Sequence, residues 1–364
     1  MSSVFGKNIT VTIFGQSHSK AVGVVIDNLP AGFSIDMQKL TAFMQRRSAI
    51  DKPFSTKRKE KDEIEFLSGL MGNTTCGAPI CAIIYNKDIN PEDYRSFKDI
   101  PRPSHADYTA HIKYKGFQDT SGGGHFSGRL TAPLCIAGGI CLQILEKYGI
   151  SIHAHIKKIY DTEDISFNPA EDNRENIEKL LNNDFPVIDR QKGILMQERI
   201  RTASQQNDSL GGIIECGVYN FPAGIGEPMF DGLENNISKA VFAIPAVKGI
   251  EFGNGFDCAN LKGSENNDPF YIKDSKILTR TNNHGGILGG ISSGMPLIFR
   301  VAVKPAPSIG IEQESVNMTN NNREQIKVGG RHDACIVPRA VACVEAAAAI
   351  AILDMYYASY RIWE

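Results

Sequence analysis

Residues 340 to 353 read AVACVEAAAAIAIL, an apolar run that carries a single charge, Glu345. A helix that is apolar all round has to be covered all round. The run is shorter than the ~20 residues a membrane span needs, so it reads as a buried helix. Pro338 stands at its entrance, where a missing N–H costs nothing. At 364 residues the chain is long enough to supply such a core. No repeat and no long or biased linker divides it, so residues 1–364 are read as one domain.

Other elements follow from periodicity. Ile9, Val11 and Ile13 alternate as in a strand, and Val22 to Ile26 form a second apolar run. Met37, Leu40, Phe43 and Met44 share a helical face, with Asp36 or Ser34 as cap. Residues 79–85 and 150–156 read as strands. Between them Pro133 is expected to open a helix that Gly149 closes. Amphipathic helices are expected over about 171–183 and 189–206, a strand over 211–219, a helix over 233–244 and a strand over 296–303. Segments 253–286 and 312–326, rich in Asn, Gly and charge, read as surface loops. Strands and helices mix without a steady βαβ rhythm, so the expected class is α+β.

Lys plus Arg number 39 and Asp plus Glu 41, which leaves a formal charge of −2 and no basic field for nucleic acid. The N-terminus, MSSVFGKNITVTIF, has no signal-peptide pattern. Eight cysteines, at 76, 81, 135, 141, 216, 258, 335 and 343, form no CxxC pair. They read as small apolar residues of a reduced, cytoplasmic protein rather than as a disulfide framework.

Four segments are too rich in glycine beside Arg, His, Ser or Asp for ordinary loops: FGQSHS (14–19), RPSHADYTAHIKYKG (102–116) running into DTSGGGHFSGRLTAP (119–133), NNHGGILGGISSG (282–294) with KPAPSI (304–309), and GGRHDACIVPRA (329–340). Each reads singly as a set of tight turns. Together they suggest backbone N–H groups and cations gathered around phosphate. No GxGxxG, P-loop or HExxH is present. The GxSxG string at Gly290 to Gly294 lacks the strand–Ser–helix context of a nucleophile elbow, which leaves a serine hydrolase poorly supported. His153 and His155 share the polar face of an alternating strand with Ser151 and Lys157, read as a solvated face rather than a metal pair. His18, His105, His125, His284 and His332 lie in or beside the unusual segments and are the acid–base candidates. Their spacing suggests no metal site.

Read together, these segments resemble the chorismate synthase family. Its strings F-G-E-S-H-G, R-P-G-H-A-D, G-G-G-R-S-S-A-R-E-T-A, A-V-K-G-(I/V)-E-(I/F)-G, G-G-I-S-(N/S)-G, K-P-T-(P/S)-S-I and G-R-H-D-P-C stand here as FGQSHS, RPSHAD, GGGHFSGRLTA, AVKGIEFG, GGISSG, KPAPSI and GRHDAC. They occur in family order from residue 14 to 345. The resemblance implies a β-α-β sandwich with helices between antiparallel sheets, and a homotetramer. It implies anti 1,4-elimination of phosphate from 5-enolpyruvylshikimate 3-phosphate to chorismate, the last common step toward aromatic amino acids. Reduced FMN is required without net redox change, and an external, NADP-linked flavin reductase would supply it. A non-catalytic flavin- or phosphate-binding relative is the alternative.

By position, the resemblance makes His18 the donor to the leaving phosphate and His105 the donor to the flavin N1/C2 edge. Asp333 is the acceptor at flavin N5, with Ser17 and Ser127 as relays. His125, Phe126, Ser127, Pro245, Ala246, Gly289, Lys304, Pro305, Ala306, Pro307, Ser308, Arg331 and Arg47 match cofactor-contact positions. Arg46, Arg47, Arg102, Arg129 and Arg339 can meet the substrate's phosphate and two carboxylates with guanidinium forks. Departures cluster at the same place. In the first motif Gln16 stands for Glu and Ser19 for Gly. Ser104 stands for Gly, a change that is harmless unless the position needs positive φ. Ser121 and His125 stand for arginines, Phe126 for Ser and Gly128 for Ala. Pro245 removes an N–H, and Pro53, beside Lys52, stands where a second loop Arg is common.

Overall fold

Two five-stranded antiparallel sheets face one another across a layer of helices. The computed structural model describes residues 3–48, 62–87, 98–329 and 333–361. In the first sheet, β1 (Val4–Phe5), β2 (Thr10–Gly15), β3 (Ala21–Asp27), β4 (Glu65–Ser68) and β5 (Ile80–Tyr85) take the order β1-β2-β3-β5-β4. The second holds β6 (Ser151–Ile159), β7 (Thr162–Glu163), β8 (Gly212–Tyr219), β9 (Val247–Phe252) and β10 (Leu297–Val303), in the order β9-β10-β8-β6-β7. Every pairing in both sheets is antiparallel.

The helices are α1 (Met37–Arg47), α2 (Asp107–Tyr114), α3 (Thr131–Lys147), α4 (Arg174–Leu181), α5 (Arg190–Gln205), α6 (Leu233–Val241) and α7 (Val337–Arg361). α3 packs on β3 and β5 and against α7, while α7 packs on β6 and β8. The Ala-rich run is therefore the inner wall of the sandwich, and Ala346 to Leu353 are all buried. By length and hydropathy α3 and α7 could each cross a membrane, but their apolar surface is already covered by the fold. A Cβ on Gly138 would lie 2.3 Å from Ala346 Cα, so the two backbones cross at a distance only glycine permits. Asp354, near the far end of α7, accepts the backbone N–H groups of Lys7, Asn8 and Ile9 at 3.0, 2.6 and 2.9 Å, sewing the start of the first sheet to the central helix.

Asp36 caps α1 by accepting from Gln38 and Lys39 N–H, as its position suggests. α3 starts earlier than expected. It opens at Thr131 after two 3₁₀ turns, Gly124–Phe126 and Gly128–Leu130, and Pro133 is its third residue. Proline is tolerated there because first-turn N–H groups have no intrahelical acceptor. The expected loops also hold structure. Glu312–Asn317 pairs with Asn322–Lys327, and Phe270–Lys273 with Lys276–Thr279. The first of these ribbons is built of polar strands, so no hydrophobic alternation announces it.

Candidate active site

The FGQSHS loop leaves β2 at Gly15 and lies against the glycine loop that precedes α3. Ser17 N–H donates to Gly124 O at 3.1 Å and Ser17 Oγ to Ser121 O at 2.9 Å. With its proton so used, Ser17 Oγ accepts from His18 Nδ1, 3.0 Å away, which fixes the imidazole through that nitrogen. Gly122, Gly123 and Gly124 all have positive φ, at +65°, +109° and +54°. A Cβ on Gly122 would meet His18 Cε1 at 2.2 Å, and one on Gly123 would stand 3.4 Å from His105 Cε1 and Nε2. Consecutive residues of one loop thus contact the two predicted histidines.

His105 is held from behind. Asp107, the first residue of α2, lies 2.6 Å from His105 Nδ1 through Oδ1. It also accepts from Arg102 N, Nε and Nη2 at 3.0, 2.7 and 2.8 Å. Burial alone would raise the Asp107 pKa. Hydrogen bonds from Arg102 and His105 overturn that and hold the carboxyl well below the usual carboxylate range. Ser104 has φ +58°, so serine does occupy a left-handed position at some cost in strain. Its carbonyl accepts from Lys304 Nζ, and Arg102 Nη1 lies 3.4 Å from Ser308 Oγ. Ala246, φ +73°, accepts from Lys304 N at 2.9 Å, and Ser209 Oγ donates to Ala306 O at 2.7 Å. Residues 304–308 are thereby seated against the RPSHAD turn. Burial, then Lys248, lowers the Lys304 pKa.

Three arginines form a second group. Arg47 and Arg129 grip the Asp62 carboxylate from two sides, and its pKa is lowered: burial, which opposes this, is outweighed by the two guanidinium groups. Arg47 Nε donates to Thr131 Oγ1 at 3.1 Å, and Arg129 Nε to Asn86 Oδ1 at 3.0 Å. Arg339 Nε donates to Arg47 O at 3.0 Å and Nη1 to Asp333 Oδ2 at 2.5 Å. Among the described residues, the group sets three guanidiniums against the carboxylates of Asp62 and Asp333. Ser127 ties it to the glycine loop: its Oγ accepts from Arg129 N at 3.2 Å, and its Cα stands 3.7 Å from a Cβ on Gly123.

Arg46 is not brought to this group. Its fork meets Glu345 on α7 at 2.6 and 2.8 Å, and Glu345 also accepts from Ala154 N at 2.7 Å. Neighbours on a helix point about 100° apart, so Arg46 and Arg47 serve different places. His125 Nδ1 donates to Gly15 O at 2.8 Å and Nε2 lies 3.0 Å from Ser3 Oγ, so it clamps the end of β2. Phe126 is half exposed, near Tyr114 at 6.3 Å between ring centres. Pro245 precedes Ala246, and Gly289 turns the short ribbon Ile287–Leu288/Ile291–Ser292. Arg331, His332, Pro53 and Lys52 lie outside the described residues.

His284 Nδ1 accepts from Gly286 N at 2.9 Å, which occupies it structurally. Ser292 of the GxSxG string is buried and donates to Pro222 O at 2.6 Å, so it is no nucleophile. His155 departs from the solvated-face expectation: it is fully buried, with Asp164 and Glu215 each 3.1 Å from its ring nitrogens and Phe167 edge-on to the ring. A hollow of about 1420 Å³ opens between α1 and α5 and touches the arginine group at Asp62. Sequence reasoning did not single out Asp107, Asp62, Asn86 or Thr131. Asp107 had a signal, a carboxylate two residues from a motif histidine at a helix start.

The family model for chorismate synthase matches residues 9–357. The chain belongs to the chorismate synthase family. A chorismate synthase of Lancefieldella parvula is 47% identical over 369 residues, covering 98% of this chain and 97% of that protein. One from Thermococcus kodakarensis is 43% identical over 360 residues, covering 99% and 98%. A solved structure described as "Crystal Structure of Chorismate Synthase" superposes with a TM-score of 0.76 at 25% identity, covering 97% of this chain and 93% of that one. The family's sandwich, expected from the motifs, is the fold observed.

Proposed function

We propose that this chain is a carbon–oxygen lyase that converts 5-enolpyruvylshikimate 3-phosphate to chorismate and inorganic phosphate with reduced FMN as cofactor. The observation that carries the reading is the glycine loop with His18 against Gly122 and His105 against Gly123.

The donor set suits a flavin phosphate and an anionic substrate. Lys304 through Ser308, Ala246, Ser127 and His105 would hold FMN, beside the Arg102 guanidinium that reaches Ser308. Arg331, Phe126, Pro245 and Gly289 are assigned there by family position. Arg47, Arg129 and Arg339 would meet the substrate's anions, in exchange for part of their hold on Asp62 and Asp333. When bound, reduced FMN supplies an electron-rich ring to the allylic system. His18 Nε2 delivers a proton to the departing phosphate oxygen while Ser17 fixes the ring through Nδ1. His105 exchanges a proton at the flavin edge through Nε2. Asp333, held by Arg339, is the base, and Ser17 and Ser127 are the relays.

The chain acts as one domain in the cytoplasm, with an external flavin reductase as its source of reduced FMN. A homotetramer is the proposed assembly. Phe270, Ile272 and Ile277 on one face of an exposed ribbon, each more than 65% exposed, are the kind of surface that association covers. The test is product analysis: catalytic reduced FMN should support many turnovers, with chorismate and phosphate formed one to one. Flavin consumed in proportion to product would overturn the lyase reading.

A further inference from the structure

We propose that Asp107 is a positioning residue for His105: it accepts the Nδ1 proton and so leaves Nε2, on the side of the glycine loop, as the nitrogen that exchanges protons. The chemical use of that nitrogen rests on the function proposed above.

Asp107 Oδ1 lies 2.6 Å from His105 Nδ1 and 2.8 Å from Arg102 Nη2, so one oxygen serves two donors. Arg102 Nη2 is itself 3.1 Å from Nδ1. Were Nδ1 the unprotonated nitrogen, its lone pair would face a carboxylate oxygen at 2.6 Å, a repulsive contact between two acceptors. Arg102 Nη2 can donate to a bare Nδ1 at 3.1 Å, but the 2.6 Å contact with a full carboxylate outweighs it and sets Nδ1–H. The opposite nitrogen points to Gly123, where a Cβ would stand 3.4 Å away. Because Arg102 Nε and N both donate to Oδ2, the carboxylate cannot turn without abandoning the guanidinium. Arg102 in turn reaches Ser308, so one side chain sets both the imidazole and the neighbouring 304–308 segment.

Asp107→Asn separates positioning from bulk. An amide has one acceptor oxygen, and the several N–H groups of Arg102 compete for it. The NH₂ then turns toward His105 and forces the Nε2–H tautomer, the logic by which an Asp-to-Asn change disables a catalytic triad. The readout is side-chain ¹⁵N NMR of unliganded, histidine-labelled protein at a pH where the ring is neutral, with the His105 signal identified by its loss in His105→Gln. The wild type should show Nδ1–H and Asp107→Asn should show Nε2–H. The variant's kcat should fall about 10²-fold, the scale of a misplaced acid–base group, with flavin affinity falling far less. An Nε2–H tautomer in the wild type, or an unchanged tautomer in the variant, overturns the proposal. The wild-type tautomer is read without Asp107→Asn having to fold and without flavin. Nδ1–H in a wild type that releases no phosphate overturns the assigned reaction and leaves the positioning role standing.

Discussion

A methyl group on Gly122 would lie 2.2 Å from Cε1 of His18 and 2.4 Å from Nδ1, so the glycine loop and the histidine are fitted to each other. Gly122→Ala must push the imidazole away, and at φ +65° it also pays about 1 kcal/mol of backbone strain. A displaced acid–base group of this kind costs ~10²-fold in kcat. Gly224→Ala is the control: with φ +91° and nothing within 4 Å it meets the strain without the clash. Both variants should lose similar thermal stability, and Gly122→Ala alone should lose turnover. Equal turnover in the two would detach Gly122 from the site.

Arg46→Met tests whether that arginine serves substrate or fold. Removing one partner of a buried ion pair costs ~3–5 kcal/mol. Arg46 is 40% solvent-exposed on its side chain, so water reaches the pair and the cost should be nearer ~2 kcal/mol. The substrate KM should stay within about threefold. Adding Glu345→Gln should recover much of the stability, since the uncompensated charge is the source of the loss. A large KM rise with little change in denaturation midpoint would restore Arg46 to the substrate.

His155 makes stability depend on pH. Burial alone would lower its pKa, but Asp164 and Glu215 reverse this and raise it. A raised folded-state value means that folding favours the imidazolium. The stabilisation is complete below the unfolded value near ~6.5 and is lost as pH rises through the folded value. The stability advantage of wild type over His155→Gln, measured by urea denaturation, should shrink as pH rises above about 6.5. A constant difference would mean that the histidine is neutral throughout.

The thiols should divide sharply. Cys76 and Cys258 are exposed, while Cys135, Cys141, Cys216, Cys335 and Cys343 are buried. Burial drives the Cys216 thiol well above its ordinary range. An aromatic disulfide reagent should modify Cys76 and Cys258 promptly in the native protein and the buried thiols only on unfolding. Rapid reaction at Cys216 would contradict the packing of β8.

What the sequence made legible was local pattern and motif. Alternation at Ile9, Val11 and Ile13 marks β2, and the apolar run at 340–353 marks the central helix, because each is a property of consecutive residues. The histidines were found the same way, through short strings. The errors at His155 and Arg46 turn on contacts outside the local pattern, and the one at Pro133 on the turns just ahead of the helix. His153 and His155 do alternate with buried residues, yet Asp164 and Phe167 fold over His155 and remove it from solvent. Two adjacent arginines end α1, and only the placement of Glu345 on α7 and Asp62 before β4 decides which one turns where. Pro133 reads as a first helical residue until the 3₁₀ turns ahead of it are seen to run straight into α3.

The central claim is that the two histidines beside the glycine loop serve one flavin-dependent elimination. Phosphate release from 5-enolpyruvylshikimate 3-phosphate, followed without oxygen in parallel samples with reduced FMN, oxidised FMN and no flavin, tests it most directly. Rapid release with reduced FMN alone is the predicted result. Release that is equal in all three samples, or absent from all three while FMN and substrate bind, would contradict it.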